Sequence, residues 1–286
     1  MSSQEPPTYS ESCSNQQANL SSTNDQSNPT VQATTNSATP YSTNNVELGC
    51  VEAQINPKYG IRFNDASIRT GFIRKVLFLV TIMLGVVAIM SAIPFFNHDL
   101  KKKVQDTPAL YYASYGAFLV VYFILICCPG ISRHFPSNLI CTGILTLSIG
   151  YMTMMITSMY DVECVLLTFA ITAIVCATVI LFAIQTKYDL TSMIGFLFIA
   201  SMCVFVIGIV AVISIVVFKV RWLYTIYAGI ASLLFMFYLA FDIQMMVGGK
   251  KYAYDPEDYI VAAIQIFLDI INLFWLILSI IGCSRN

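Results

Sequence analysis

The chain has 286 residues, of which 57% are hydrophobic and only 11% are charged. An average soluble domain carries roughly 25% charged residues, so this composition excludes an ordinary soluble protein and requires much of the apolar surface to face lipid. The net charge of -1 excludes the clustered basic face on which nucleic-acid binding depends.

Residues 1–57 contain no Lys or Arg and are dominated by Ser, Thr, Asn, Gln and Pro. So polar a segment buries too little apolar surface to offset its ordering entropy, and we predict a disordered tail. The tail shows no apolar core behind a basic start, so we expect no cleaved signal peptide. Residues 58–75 then form a basic approach to the membrane, with Lys58, Arg62, Arg69, Arg74 and Lys75.

The tail contains a short Pro-Pro-x-Tyr motif formed by Pro6, Pro7 and Tyr9. Such a motif docks a polyproline turn and a tyrosine ring into the aromatic groove of a WW domain. The sequence thus suggests a WW-domain ubiquitin ligase as a partner. The alternative is that these prolines belong to a plain linker.

Seven apolar runs occupy residues 76–284, and each is long enough to cross a hydrocarbon core of about 30 Å. They are Val76–Phe96, Ala109–Cys128, Asn138–Met159, Cys164–Thr186, Leu190–Phe218, Trp222–Val247 and Tyr259–Ser284. The connections are short, so neighbouring helices are antiparallel and no second domain is expected. The predicted fold is therefore an all-α integral membrane bundle of seven spans behind a disordered tail.

The basic residues of alternate loops predict the orientation. If the N-terminus is cytosolic, nine of the 15 Lys and Arg residues lie on the cytosolic side and six on the other. Five of the nine directly precede the first span, which usually dominates the orientation. We therefore predict a cytosolic tail and a C-terminus across the membrane.

Two charged residues fall within the seven runs, Asp242 in the sixth and Asp269 in the seventh. A charge at the bilayer centre costs about 2.5–3.5 kcal/mol, so such residues normally mark an ion pathway or a proton relay. The alternative is that each aspartate only hydrogen-bonds a neighbouring helix. No Lys or Arg lies within the runs, so a cation, a proton or a flanking base such as Arg133 or Lys187 must neutralise them.

If Asp242 and Asp269 meet, two carboxylates at low dielectric cannot both ionise cheaply, so they share a proton and titrate as a unit. The doubly ionised pair offers the oxygen ligands that Ca²⁺ prefers. The sequence thus predicts transient calcium binding at these residues and no resident cofactor. It predicts no enzymatic activity.

A polar stripe follows the seventh run, because Gln265, Asp269 and Asn272 are spaced at i, i+4 and i+7. In an otherwise apolar helix this face must turn away from lipid, towards the protein interior or a wet cavity. Gln265 and Asn272 are predicted to support the aspartates; the alternative is that they only join neighbouring helices by hydrogen bonds.

Spacing along the chain does not by itself bring the aspartates together. Gly248–Gly249 ends the sixth helix, while Asp255 and Pro256 begin the seventh. Asp242 is then six residues from its helix end and Asp269 thirteen from its helix start, a difference of about 10 Å along the axes. A tilt, a bend or a seventh helix that begins outside the membrane is needed.

Residues 68–283 resemble the BAX-inhibitor-motif membrane proteins, specifically their Lifeguard branch. The motifs that carry the resemblance are Phe72-Ile73-Arg74-Lys75-Val76, Phe135-Pro136-Ser137-Asn138-Leu139, Gln185-Thr186-Lys187-Tyr188-Asp189, Phe241-Asp242-Ile243-Gln244, Pro256-Glu257-Asp258-Tyr259 and Leu268-Asp269-Ile270-Ile271-Asn272-Leu273-Phe274.

The resemblance implies a bundle with the C-terminal helix at its centre and a pH-sensitive Ca²⁺ leak that restrains cell death, with cell-death regulators as partners. It implies a location in endoplasmic reticulum, Golgi or endosomal membranes, or in the plasma membrane. Asp242 and Asp269 match the family's proton-sharing pair near the cytosolic mouth of the pore. Some members place an arginine partner in the second span, where Ala109–Cys128 has no charge.

Three other functions compete with a leak channel. Presenilin-like intramembrane proteases also pair aspartates on adjacent spans, but they need a Gly-x-Gly-Asp motif where this chain has Ile266-Phe267-Leu268-Asp269. A coupled receptor is disfavoured because the link Lys219-Val220-Arg221 is too short for a coupling surface. The serious alternative is a scaffold that binds receptors, trafficking factors or ubiquitin ligases without transporting ions.

Overall fold

The computed structural model describes residues 57–219 and 222–284. Within these residues, seven helices are long and apolar enough to cross a membrane. The predicted all-α membrane bundle of seven spans is thereby confirmed. The predicted tail, apart from Pro57, lies outside the described residues, as does the motif of Pro6, Pro7 and Tyr9.

The helices differ in length and in role. The spanning helices are α1 (Pro57–Phe96), α3 (Pro108–Cys127), α5 (Ser137–Ser158), α6 (Val162–Gln185), α7 (Ile194–Phe218), α8 (Trp222–Val247) and α9 (Tyr259–Ser284). The short helices α2 (His98–Gln105) and α4 (Pro129–Arg133) connect the first three spans, while the 3-10 turns Leu190–Met193 and Pro256–Asp258 lead into α7 and α9. From the second span onward the predicted bounds agree with these helices to within two residues, except that the predicted start at Leu190 coincides with the 3-10 turn before α7.

The first helix begins much earlier than the first apolar run. It starts at Pro57 rather than at Val76, so the basic segment 58–75 continues the spanning helix. Proline favours the first position of a helix, and the next proline, Pro94, lies near the end of α1. The backbone of this basic segment is therefore helical, and Arg69 within it contacts the end of α8.

The last helix occupies the centre of the bundle, as the family resemblance implied. It packs against α1, α5, α6 and α8. In its apolar stretch 61% of the residues are buried, against 6% in α3 at the periphery. Ala262 and Ala263 are fully buried, and such small residues allow spanning helices to approach closely where hydrophobic attraction between helices is absent.

Four segments meet at one end of the bundle. Arg69 of α1 donates a hydrogen bond to Tyr254 in the connection between α8 and α9. Lys250 of the same connection donates to the Lys187 carbonyl after α6, and Arg133 of α4 bonds Asp258 before α9. All four segments were predicted to lie on the same side of the membrane.

Candidate functional site

Two buried carboxyl groups meet where α8 and α9 pack together. Asp242 and Asp269 are each only 7% exposed, and their side chains contact each other across the interface. A carboxylate can only accept hydrogen bonds, so a hydrogen bond between two carboxyl groups requires one shared proton. The structure thus brings together the residues that the sequence singled out as a charge pair.

The chain positions of these carboxyl groups are staggered. Asp242 precedes the end of α8 by five residues and Asp269 follows the start of α9 by ten. At standard helical rise this is an offset of about 7.5 Å along the axes. The contact therefore depends on the relative tilt and stagger of the two helices, which residue spacing does not encode.

The pair lines a cavity of about 490 Å³ inside the bundle. The polar residues on its wall are Asp242, Asp269, Gln265, Asn272, Tyr122, Tyr238 and Tyr254, and no described residue lining it is basic. The Oδ2 atom of Asp269 is buried without a hydrogen-bond partner in the described part of the chain. An acidic, uncompensated site of this kind attracts protons and cations.

The predicted polar stripe of α9 faces this cavity, although its two amides differ in their contacts. Gln265 accepts a 3.4 Å hydrogen bond from the hydroxyl of Tyr122 on α3. Asn272 instead donates a 2.8 Å hydrogen bond to the Leu268 carbonyl of its own helix. Gln265 therefore joins two helices at the cavity, whereas the amide N–H of Asn272 bonds its own helix and no other in the described part of the chain.

Tyr254 is a residue of the site that the sequence did not reveal. It belongs to the connection between α8 and α9, and its hydroxyl donates a 3.0 Å hydrogen bond to Asp242. Burial and the nearby Asp242 carboxylate raise the pKa of Tyr254 well above its ordinary value. The phenol therefore remains protonated at neutral pH and serves as a donor to the pair.

Arg69 forms a second contact that sequence reasoning missed. Its guanidinium donates to the carbonyls of Met245, Val247 and Tyr254, at 3.2 Å for Val247 and 2.7 Å for Tyr254. The last carbonyls of a helix lack partners within the helix, and a cation there also complements the helix dipole. Arg69 thus caps α8 and holds the connection that carries Tyr254.

The end of α8 is formed by the predicted glycines. Gly248 and Gly249 have φ values of +79° and +77°, and the Gly248 N–H donates to the Gln244 carbonyl at 2.9 Å. Glycine is favoured at such a left-handed helix end. A Cβ at Gly248 would lie 2.9 Å from the Arg69 guanidinium, so glycine also leaves room for the cap.

Arg133 has other partners than the one suggested from the sequence. It was a candidate to neutralise the aspartate pair, but its guanidinium bonds Asp258 at 2.8 and 2.9 Å and Glu257 at 3.0 Å. The hydrogen bond that Arg133 donates to the Asp258 carboxylate is the main cause that raises the pKa of Arg133. Arg133 therefore anchors the acidic start of α9, while the Asp255 side chain makes no capping bond there.

A polar junction links the connection after α6 to the end of α8. Gln244 is buried, accepts a hydrogen bond from the Leu190 N–H at 2.9 Å and donates to the Tyr188 carbonyl at 3.0 Å. Lys250 donates to the carbonyls of Lys187 and Tyr188 at 2.9 and 3.1 Å. These contacts engage the backbone beside Lys187, which was the other base suggested for the pair.

The pair does not form a preassembled metal site. Among the described residues, no group of three His, Cys, Asp or Glu side chains is placed to hold a metal ion. Ca²⁺ normally takes six to eight oxygen ligands, whereas Asp242 and Asp269 supply two carboxyl groups. These two residues alone therefore supply fewer oxygen ligands than Ca²⁺ normally takes.

Comparison with known proteins gives one consistent family. The family model described as an inhibitor of apoptosis-promoting Bax1 matches residues 69–286. The chain is 37% identical to Protein lifeguard 3 of Mus musculus and 38% identical to Protein lifeguard 3 of Homo sapiens, over 78% of this chain and 72% of each relative. The chain belongs to the BAX inhibitor motif family, in its Lifeguard branch. Bax inhibitor 1 of Schizosaccharomyces pombe is 27% identical over 77% of this chain and 79% of that protein.

The family match includes the whole site. It begins at Arg69, the cap of α8, and extends through both aspartates and Tyr254. This Lifeguard chain is therefore a multi-pass membrane protein of a family that regulates apoptosis, and the predicted family and branch are confirmed.

Proposed function

We propose that this protein is a pH-sensitive Ca²⁺ leak channel of internal membranes and that the leak restrains cell death. The observation that carries the proposal is the contact between the Asp242 and Asp269 side chains on the wall of an acidic cavity within the bundle. A soluble ligand or a catalytic step is not needed to explain such a pair. Protons and cations are the species that it attracts.

The proton state of the pair sets the affinity of the cavity for cations. At low pH the shared proton allows the carboxyl groups to remain in contact, and the α8–α9 interface stays closed. At higher pH both groups ionise, repel each other and attract Ca²⁺, which favours separation of the helices. Tyr254 favours the ionised state because its hydroxyl donates to Asp242.

A flux assay with purified protein in liposomes tests this mechanism. Asp242→Asn and Asp269→Asn keep size and hydrogen bonding but remove the titrating charge, so each substitution should flatten the pH dependence of Ca²⁺ flux. Because the carboxyl groups act as a unit, the double variant should add little to the stronger single one. Unchanged pH-dependent flux in all three variants would remove the pair from the mechanism.

The second candidate function is a membrane scaffold that binds receptors, trafficking factors or a ubiquitin ligase. It rests on the motif of Pro6, Pro7 and Tyr9, which lies outside the described residues. A tail peptide should bind WW domains, and Tyr9→Ala should abolish the binding. A protein that binds such domains but passes no Ca²⁺ in liposomes is a scaffold and not a leak.

Proteolysis by the aspartate pair is the enzymatic alternative. Ile266 and Phe267, which precede Leu268 and Asp269, are fully buried, so their bulk leaves no open backbone beside the carboxyl group. We therefore propose that the protein is not a protease. Appearance of an Asp269-dependent cleavage product in a purified system would reverse this conclusion.

We further propose that the end of the bundle that carries Arg69 and Lys250 faces the cytosol. The basic segment before the first span supports this orientation. Protease protection and glycosylation mapping should place the tail and Lys250 on the cytosolic side, with Arg285 across the membrane. Both termini on one side would require an even number of crossings and would contradict the seven-span arrangement.

A further inference from the structure

A second cavity, of about 430 Å³, lies among α1, α5, α6 and α9. It shares no described lining residue with the acidic cavity, because α9 separates the two: Asp269 faces one, while Ile270 and Ile271 face the other. Its volume lies within the usual range for sites that bind small organic ligands. The wall is predominantly apolar, with residues such as Leu84, Phe169 and Phe274.

One side chain on this wall is polar, buried and unpaired. Thr172 is 4% exposed, and its hydroxyl has no hydrogen-bond partner in the described part of the chain. Other buried threonines avoid this state: Thr142, Thr146 and Thr168 each donate to the carbonyl four residues earlier at 2.7–2.8 Å. An unpaired buried hydroxyl is destabilising, so a molecule in the cavity that forms a hydrogen bond with Thr172 would relieve this cost.

The cavity favours a neutral ligand. None of its described lining residues carries a charge. The other buried hydroxyl on the wall, that of Thr153, already accepts a 3.1 Å hydrogen bond from the Trp275 indole N–H. A carboxylate or a phosphate inside would have no counter-charge and would lose its hydration, so ionised lipid headgroups are excluded from the interior.

The position of the opening indicates that the ligand comes from the bilayer. Thr81, Ala88 and Ala173 line the cavity and are exposed on the spanning parts of α1 and α6, so the opening faces lipid. Thr172 lies ten residues after Val162 and thirteen before Gln185, near the middle of α6. At about 15 and 20 Å from the helix ends, its hydroxyl is close to the bilayer centre.

We propose that this cavity binds a neutral lipid that carries a hydroxyl group in the middle or at the far end of its apolar body, with Thr172 as the hydrogen-bond partner. A lipid anchored at the interface presents that part of its structure at the depth of Thr172. Two sources share this chemistry, a sterol hydroxylated on its side chain and an acyl chain hydroxylated along its length. Binding does not require that the protein conduct ions.

The test uses the full-length protein in nanodiscs and a tritiated cholesterol that is hydroxylated on its side chain. Binding should be saturable, and unlabelled cholesterol should compete about three- to tenfold less well, the difference expected for one hydrogen bond. The hydroxylated acyl chain is tested in the same competition assay with methyl esters of stearic acid that carry or lack a mid-chain hydroxyl. The hydroxylated lipid that competes better identifies the source.

Two substitutions connect the binding to this cavity. Thr172→Val keeps the side-chain shape and should erase the preference for the hydroxylated lipid over its parent. Gly85→Leu should weaken binding at least tenfold, because a Cβ at Gly85 meets no atom within 4 Å and the added side chain occupies the cavity. Gly116→Leu on α3 is the matched control, since Gly116 is equally open but does not line the cavity, and it should bind as the wild type does.

The preference for the hydroxyl is a ratio measured within one variant, so it is independent of how much protein folds. Absence of saturable binding to the wild type by either hydroxylated lipid would overturn the proposal. So would a preference that survives Thr172→Val, or binding that is undiminished in Gly85→Leu. None of these results depends on Ca²⁺ flux, so they leave the leak mechanism to be tested separately.

Discussion

The hydroxyl of Tyr254 donates a 3.0 Å hydrogen bond to a carboxylate oxygen of Asp242. Through this bond the connection between the last two spans contacts the charge pair inside the bundle. Burial raises the pKa of Tyr254, so the hydroxyl remains a donor at neutral pH. The connection is therefore part of the environment that determines when Asp242 and Asp269 ionise.

Tyr254→Phe should move the pH midpoint of Ca²⁺ flux to higher pH, by up to about one unit. The hydroxyl stabilises the ionised pair, and a hydrogen bond of about 0.5–1.5 kcal/mol corresponds to a shift of this size. The midpoint is measured in liposomes over a pH series. Tyr252→Phe, at an exposed position of the same connection, is the control and should leave the pH midpoint unchanged. An unshifted midpoint in Tyr254→Phe would contradict the role of the hydroxyl.

Arg69→Gln should destabilise the protein because it removes a charged donor from two carbonyls at the end of α8 and from the Tyr254 carbonyl in the connection that follows. We expect a loss of about 2 kcal/mol and a fall of about 4–8 °C in the melting temperature in detergent. Arg74→Gln removes the same charge from an exposed position of α1 and should change the melting temperature little. Equal effects of the two substitutions would mean that the cap contributes nothing beyond net charge.

Gly248→Ala and Gly249→Ala separate backbone strain from the contact with Arg69. Both positions have positive φ, so each substitution should cost about 1 kcal/mol in strain. Only at Gly248 does the new Cβ meet the guanidinium, so Gly248→Ala should cost at least about 1 kcal/mol more. Thermal unfolding in an Arg69→Gln background should remove the difference; its persistence there would exclude Arg69 as the cause.

Asp189 should not contribute to the pH dependence of Ca²⁺ flux, although it lies at the end of the bundle that carries Arg69 and Lys250. The Thr191 hydroxyl donates to it at 2.5 Å, and this bond is the main cause that lowers the pKa of Asp189. With a folded pKa below the unfolded value of about 4, its stabilising contribution is present above that value and is lost only as the pH falls further. Asp189→Asn should therefore keep the flux profile between about pH 5 and 8, whereas Asp269→Asn flattens it.

The spans were predictable from the sequence because bilayer thickness demands long apolar runs, and Gly248–Gly249 marked the end of α8 correctly. The start of α1 was not predictable, because the hydropathy changes at Val76 whereas the helix begins at Pro57. The segment before Val76 includes Arg69, whose carbonyl partners on α8 lie 176 and 178 residues later. No local pattern encodes so distant a contact.

The charges of the candidate site were predictable from the residues, whereas the pairing of the aspartates was expected only from the family resemblance and not from residue spacing. Asp242 and Asp269 stood out because charge is rare in spanning helices, and Gln265 because it lies on the same face of α9 as Asp269. Their meeting depends on helix stagger, which requires three-dimensional packing. Tyr254 could not be identified from the sequence, because tyrosines are common in loops beside a membrane. Gly248 and Gly249 indicated a helix end whose last carbonyls need hydrogen-bond donors, but not that Arg69 supplies these donors.

The dependence of α8 on Arg69 has a consequence for shortened forms of the protein. A product that begins after Arg69, by proteolytic processing or by internal initiation, retains α8, α9 and both aspartates. It nevertheless leaves the carbonyls of Met245, Val247 and Tyr254 without the guanidinium that binds them in the full chain. The connection that carries Tyr254 then loses one of its anchors, so N-terminal cleavage would weaken the packing of this connection over the charge pair while leaving both carboxyl groups in the chain.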